Sequence, residues 1–141
     1  VIVKFTKMND EAKTPERGSQ YAAGWDLTAT SIKKEKDILS YGTSLNVQIP
    51  HGYFGIITAR SSVYRTDLGL ANGIGIIDSD YRGEIIFKYR ILHKGDYPKI
   101  YNVGDRIGQI VILSHAVPEW FEAHILEATG RGDGGFGSTG K

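Results

Sequence analysis

The chain has 141 residues, no cysteine, and a formal net charge of +1 from 17 Lys+Arg against 16 Asp+Glu. This length points to one domain with its own core, and the missing cysteines exclude disulfides, thiolate nucleophiles and cysteine-held metal. The even charge argues against a general nucleic-acid binder, and no apolar run reaches the roughly 18 residues of a membrane span.

In chain order, Val1, Val3 and Phe5 alternate with Lys4 and Thr6, which predicts a strand. Lys4, Lys7 and Asp10 make the same segment unlike a secretory signal. The expected location is therefore the cytoplasm or another reducing compartment, not secretion. Leu45, Val47 and Ile49 alternate with Asn46 and Gln48 in a second strand, closed by the turn Pro50-His51-Gly52. A strand over 53–60 follows. After Arg60 the pattern predicts one short helix capped by Ser61 or Ser62. Strands are predicted over 73–77, 84–91 and 106–113, with turns at Lys94-Gly95-Asp96 and Val103-Gly104-Asp105. In 84–91, Ile85, Phe87, Tyr89 and Ile91 face one way and Glu84, Lys88 and Arg90 the other. Residues 78–84 read as the polar tip of a β-hairpin between two apolar runs. Many short strands with regular turns predict an all-β sandwich or barrel.

Glycine numbers 18, and six of these fall in the tail GRGDGGFGSTGK. Such a tail has little to pack except Phe136, so residues 129–141 read as a mobile arm. Arg131, Phe136 and the Ser138-Thr139 pair suit closure over a ligand with an anionic part and a flat ring. Gly135 to Lys141 matches G-x-x-x-x-G-K, but no Ser or Thr for magnesium and no helix follow it, so a P-loop is not expected.

No two histidines stand at metal-ligand spacing, and no Gly-x-Ser-x-Gly is present, so covalent catalysis has little support. Asp78 directly follows an apolar run and is expected to be partly buried. A carboxylate held at a strand end can take a proton from water. Arg60, Ser61 and Ser62 together suit an anion.

Taken in order, AAGWDLTA, ARSSV, GIIDSDYRGEI, GDRIGQI and RGDGGFGSTG resemble the five motifs of the homotrimeric deoxyuridine triphosphatases (dUTPases). The likeness covers essentially the whole chain. It implies a jelly-roll-like β-barrel and a homotrimer with three interfacial active sites, each drawing on all three chains. The implied reaction is dUTP plus water giving dUMP and pyrophosphate with Mg2+, and neither nucleic acid nor membrane is an expected partner. By this resemblance Asp78 activates the water and Tyr81 packs on the deoxyribose. Asn72, Gly75, Ile77 and Ile86, on a hairpin from about Asn72 to Ile86, read uracil, and Phe136 stacks on it. Arg60, Ser61, Ser62, Gln109, Arg131, Gly137, Ser138 and Thr139 contact the phosphates. Asp26 and Gln109 reach the metal through water, with no direct protein ligand. Trp25 and Gly108 depart from the family pattern, where tyrosine or a smaller residue and alanine respectively are more usual. Two alternatives are a dCTP deaminase-like enzyme of this fold and a non-catalytic dUTP-sensing regulatory protein.

Overall fold

A computed structural model describes residues 1–140; Lys141, the last residue of the expected arm, lies outside them. The described strands are β1 (Lys4–Lys7), β2 (Trp25–Thr28), β3 (Ser31–Glu35), β4 (Ile38–Gln48), β5 (Tyr53–Thr58), β6 (Leu68–Leu70), β7 (Gly75–Ile77), β8 (Glu84–Ile91) and β9 (Arg106–Ser114). They form two antiparallel sheets. One runs β1-β4-β8-β6 with β3 also paired to β4, and the other runs β2-β9-β5-β7. The two sheets face each other as a jelly-roll-like barrel. Among the described residues no helix is long and apolar enough to cross a membrane.

Period-2 patterning explains which face is buried. β8 keeps its predicted bounds, with Ile85, Phe87 and Tyr89 in the core and Ile86, Lys88 and Arg90 exposed. β4 supplies Leu39, Tyr41, Leu45 and Val47 beside it, and the opposite sheet supplies Leu27, Ile57, Ile77, Ile107 and Ile110. Between Gly42 and Asn46 the β4–β8 register slips by a bulge, because Gly42 pairs with Ile86 but Asn46 pairs with Glu84. Ser44 takes a φ of 54° there, and its N–H donates to Glu84 Oε1 at 2.7 Å instead of to a strand carbonyl.

The Gly108 departure has a packing cause. A Cβ at residue 108 would lie 2.1 Å from Phe87 Cε1, so the Phe87 ring occupies the space that an alanine methyl needs. Phe87 in turn stacks on Tyr89 with centroids 6.4 Å apart. A large ring on one sheet is matched by the smallest residue on the other.

The structure corrects three expectations. First, the helix after Arg60 is a single 3-10 turn, Ser61–Arg65, and Arg60 rather than a serine is its N-cap, with no side-chain cap bond. Its five residues are too few to sum backbone dipoles. Second, residues 78–84 are not a hairpin tip, and the Asn72–Ile86 hairpin does not form. β7 pairs with β5 and β8 with β4 and β6, so the segment crosses from one sheet to the other. The physical reason is that Ile77 and Ile85 bury into the same core from opposite sheets. Third, the second predicted strand is the end of a longer one. β4 begins at Ile38, and β3 folds back on it across Lys36, which has a φ of 56°.

Two outcomes follow from this packing. Gly108→Ala should lower stability by about 1–3 kcal/mol through overpacking, and Phe87→Leu in the same chain should recover part of it; denaturant unfolding reads both. The second concerns alkaline pH. Burial pushes the Tyr41 hydroxyl up to about 12 and raises Tyr89 and Tyr101 as well. Below pH about 10 the contribution of these neutral phenols is fully present. Above it the unfolded chain releases protons that the folded chain retains. Stability should therefore fall as pH climbs from about 10 through the folded values. Thermal unfolding across that range should be less steep in Tyr41→Phe, by about one proton.

Candidate active site

A cleft of about 250 Å3 opens where β7 hands over to β8. Its lining includes Asn72, Gly75, Ile77, Asp78, Tyr81 and Ile86, so six residues singled out in the sequence meet at one place. Ile57, Ile76 and Glu84 complete it. Gly75 sits across from Ile57 on the neighbouring strand, and a Cβ there would come 2.5 Å from Ile57 Cγ1. The crossover beyond is pinned by short bonds. Tyr81 N–H donates to the Asp78 carbonyl at 3.2 Å, and Tyr81 O–H to the Glu84 carbonyl at 2.9 Å. Arg82 Nη1 donates to the Ser79 and Tyr81 carbonyls at 2.7 and 2.9 Å. The tyrosine is thus held in the cleft lining by both its N–H and its O–H, and it stays partly exposed. Isoleucines make flat apolar walls, while Asn72, Asp78 and Glu84 bring polar groups. The volume lies below the roughly 300–1,000 Å3 of sites for drug-sized ligands, so it suits a small ring system.

The expected partial burial of Asp78 is corrected, because its side chain is exposed. The apolar run before it enters the core, but Asp78 already stands on the crossover, and nothing in its own chain covers it. Glu84 was missed as a site residue. Strand parity puts it on the same face of β8 as Ile86, which also lines the cleft, and its carboxylate accepts the Ser44 N–H at the β4 bulge.

A second cluster gathers at the β2–β9 pairing. Asp26 is paired with Gln109 across the strands, and its backbone forms a two-bond bridge with Glu16. Its carboxylate is only 12% exposed and takes one arginine on each oxygen, Arg60 Nε on Oδ1 at 3.1 Å and Arg106 Nη1 on Oδ2 at 3.1 Å. Arg60 Nη1 also reaches Ser62 Oγ at 3.4 Å, and Gln109 Nε2 reaches the Ala59 carbonyl at 3.4 Å. Two guanidiniums against one carboxylate leave the cluster with one unbalanced positive charge. With the Ser61 and Ser62 hydroxyls beside it, the cluster suits an anion. Arg106 was missed because one arginine in a turn-and-strand segment carries no local signal; only the β2–β9 register brings it to Asp26. Ile57 in the cleft and Arg60 in the cluster are three residues apart, at most about 11 Å of extended chain.

The tail residues join neither cluster. Arg131 Nε donates to the Gly134 carbonyl at 2.8 Å, and Ser138 N–H to the Gly135 carbonyl at 3.0 Å. Phe136 is fully exposed with a φ of 51°. Arg131, Phe136, Gly137, Ser138 and Thr139 therefore stand in local turns away from their own chain's cleft.

Residues 10–140 match the family model described as dUTPase. The deoxyuridine 5'-triphosphate nucleotidohydrolase of Desulfitobacterium hafniense is 40% identical over 147 residues, covering 99% of this chain and 95% of that protein. The Variola virus protein of the same name is 38% identical over 142 residues, covering 98% and 92%. Among solved structures, the Staphylococcus bacteriophage 80alpha dUTPase with dUPNHPP superposes with a TM-score of 0.85 at 27% identity, with 99% of each chain covered. With the motifs in order, the cleft assembled from them and relatives this similar along nearly the full length, the chain belongs to the dUTPase family.

Proposed function

We propose that the chain works as a homotrimeric dUTP pyrophosphatase, converting dUTP and water to dUMP and pyrophosphate with Mg2+ and with Asp78 as general base. The observation that carries this reading is the cleft in which Asp78, Tyr81 and Asn72 stand together between isoleucine walls. Uracil lies against the walls, with its N3–H and O4 matched by main-chain groups beside β7 and by Asn72. Cytosine reverses that donor and acceptor order, and each buried group left unpaired costs about 1–3 kcal/mol. Tyr81 packs on the deoxyribose and leaves no room for a 2′-hydroxyl.

Hydrolysis needs the phosphate charge neutralised and a water held in line. Arg60, Ser61 and Ser62 take phosphate oxygens, and the unbalanced charge of their cluster favours them. Asp78 accepts the water's proton as its oxygen bonds to the α-phosphorus. The bond from that phosphorus to the bridging oxygen breaks, and pyrophosphate leaves. The donor set fits magnesium carried by the triphosphate. Each Asp26 oxygen accepts one arginine N–H and keeps a lone pair for a metal-bound water, and Gln109 keeps its amide oxygen. When bound, Mg2+ neutralises charge on the phosphate oxygens.

The exposed surfaces support a homotrimer with shared sites. Beyond His115 the chain carries Val117, Trp120, Phe121, Ile125 and Leu126, all exposed, with Trp120 at 95% and Phe121 at 92%. An apolar groove of about 540 Å3 opens elsewhere, lined by residues including Val3, Phe5, Trp25 and Ile112. Apolar surface of this extent marks an interface. A neighbouring copy would cover Asp78 and bring Arg131, Phe136, Gly137, Ser138 and Thr139 over the cleft.

The test is pyrophosphate release from dUTP, dCTP, dTTP and UTP, with Mg2+ and with chelator. Turnover confined to dUTP and dependent on metal is expected; ammonia from dCTP would replace this reading with a deaminase. Asp78→Asn should bind dUTP nearly normally and turn over at least about 100-fold slower. Near-normal turnover there would remove Asp78 from the mechanism. Truncation before Gly130 should abolish most activity while the trimer persists in sedimentation; full activity would exclude the arm. A regulatory reading draws on the phage 80alpha relative, described among phage dUTPases that control transfer of virulence genes. Tight dUTP binding without pyrophosphate release would select it.

A further inference from the structure

Three tyrosines meet in the core next to the phosphate cluster. Tyr101 is edge-on to Tyr41 and Tyr89, with ring centroids 6.1 and 5.8 Å away. Tyr41 O–H donates to the Tyr101 carbonyl at 3.0 Å, and Tyr89 O–H to the Ile107 carbonyl at 2.6 Å. Two of the hydroxyls are therefore used on backbone. The third, on Tyr101, is buried and has no hydrogen-bond partner, the one side-chain polar atom in that condition among the described residues. Leaving it so destabilises the fold, and an apolar residue of similar shape would avoid that cost. Its neighbours are the Ser62 hydroxyl and the Arg60 guanidinium, close to it but short of a completed hydrogen bond.

We infer that Tyr101 is a positioning residue whose hydroxyl, unpartnered in the free protein, donates to Ser62 Oγ when a ligand binds and thereby aims the Ser62 O–H at a substrate phosphate. This rests on the phosphate role proposed for Ser62. A serine hydroxyl has one donor and two acceptor sites. Arg60 Nη1 takes one acceptor site at 3.4 Å. With the Tyr101 O–H on the other, the serine's own proton has no use within the protein and turns toward the ligand. Burial holds the Tyr101 phenol in its neutral, donating form. The backbone supports the coupling. Asp67, two residues beyond the 3-10 turn that carries Ser62, donates its N–H to the Lys99 carbonyl at 2.7 Å. Its carboxylate accepts the Lys99 N–H at 2.6 Å. The strip bearing Tyr101 and the turn bearing Ser62 are thereby tied together.

The test is a double-mutant cycle in the full chain: wild type, Tyr101→Phe, Ser62→Ala and both. Readouts are KM and kcat for dUTP, the affinity for inorganic pyrophosphate by calorimetry, and thermal unfolding. Tyr101→Phe should raise KM and weaken pyrophosphate binding by about 3- to 10-fold, with the melting temperature equal or higher. In the Ser62→Ala background the same change should have no further effect. Wild-type KM and pyrophosphate affinity in Tyr101→Phe would overturn the inference, as would an undiminished effect in the Ser62→Ala background or a melting-temperature loss that accounts for the change. A wild-type protein that binds pyrophosphate but hydrolyses nothing would sink the proposed reaction, while the pyrophosphate arm of the cycle still decides the role of Tyr101. A wild type that does not bind pyrophosphate overturns the inference.

Discussion

Ile77 and Ile85 are buried in one core from opposite sheets, and the chain between them must cross a gap of about 10 Å. This constraint creates the cleft. The crossing segment pairs in neither ladder, so its polar groups bond among themselves, face solvent or, at the Arg82 carbonyl, accept from the Asn46 side chain of β4. Tyr81 and Arg82 satisfy the local carbonyls, and Asp78 is left at the mouth. A hairpin would have put the same residues on a solvated tip with no walls. The sheet change gives them Ile57 on one side and Ile86 on the other.

The electrostatic half of the site depends on one carboxylate. Asp26 is held by its backbone bridge to Glu16 and by its strand register opposite Gln109, and each of its oxygens fixes one arginine. A partly buried pair with only one arginine would be close to neutral. The second arginine leaves the positive surplus that suits a polyanion, and the guanidiniums are oriented before any ligand arrives. The three-tyrosine layer lies beside this cluster, so the core packing and the arginine cluster meet at Tyr101.

The remaining apolar surface connects fold to assembly. A tail rich in exposed Trp, Phe, Ile and Leu, an apolar groove beside β1 and an uncovered aspartate are the surfaces on which the proposed assembly with other copies rests. The exposed Phe136 is the same case on a smaller scale, a ring with no partner in its own chain.

Legibility in the sequence followed the range of the forces involved. β8 could be read residue by residue because alternation is a local property and one face meets a core. The motif residues of the cleft could be named because their order is written along the chain. β3 was missed because SIKKE is an edge strand with no apolar face to show. The hairpin reading failed because local pattern gives turns and strands but not the sheet each strand joins. Glu84 and Arg106 took their partners, Ser44 and Asp26, from a bulge and a register, which are relations between distant segments. The sequence by itself determined an all-β chain, its family and the residues gathered at the cleft, since those rest on periodicity and ordered motifs. Only the tertiary structure decided that the polar segment crosses between sheets, that Asp26 serves two arginines, and that Phe87 requires glycine at 108. Those depend on which side chains are brought within a few ångströms, and no spacing along the chain encodes that.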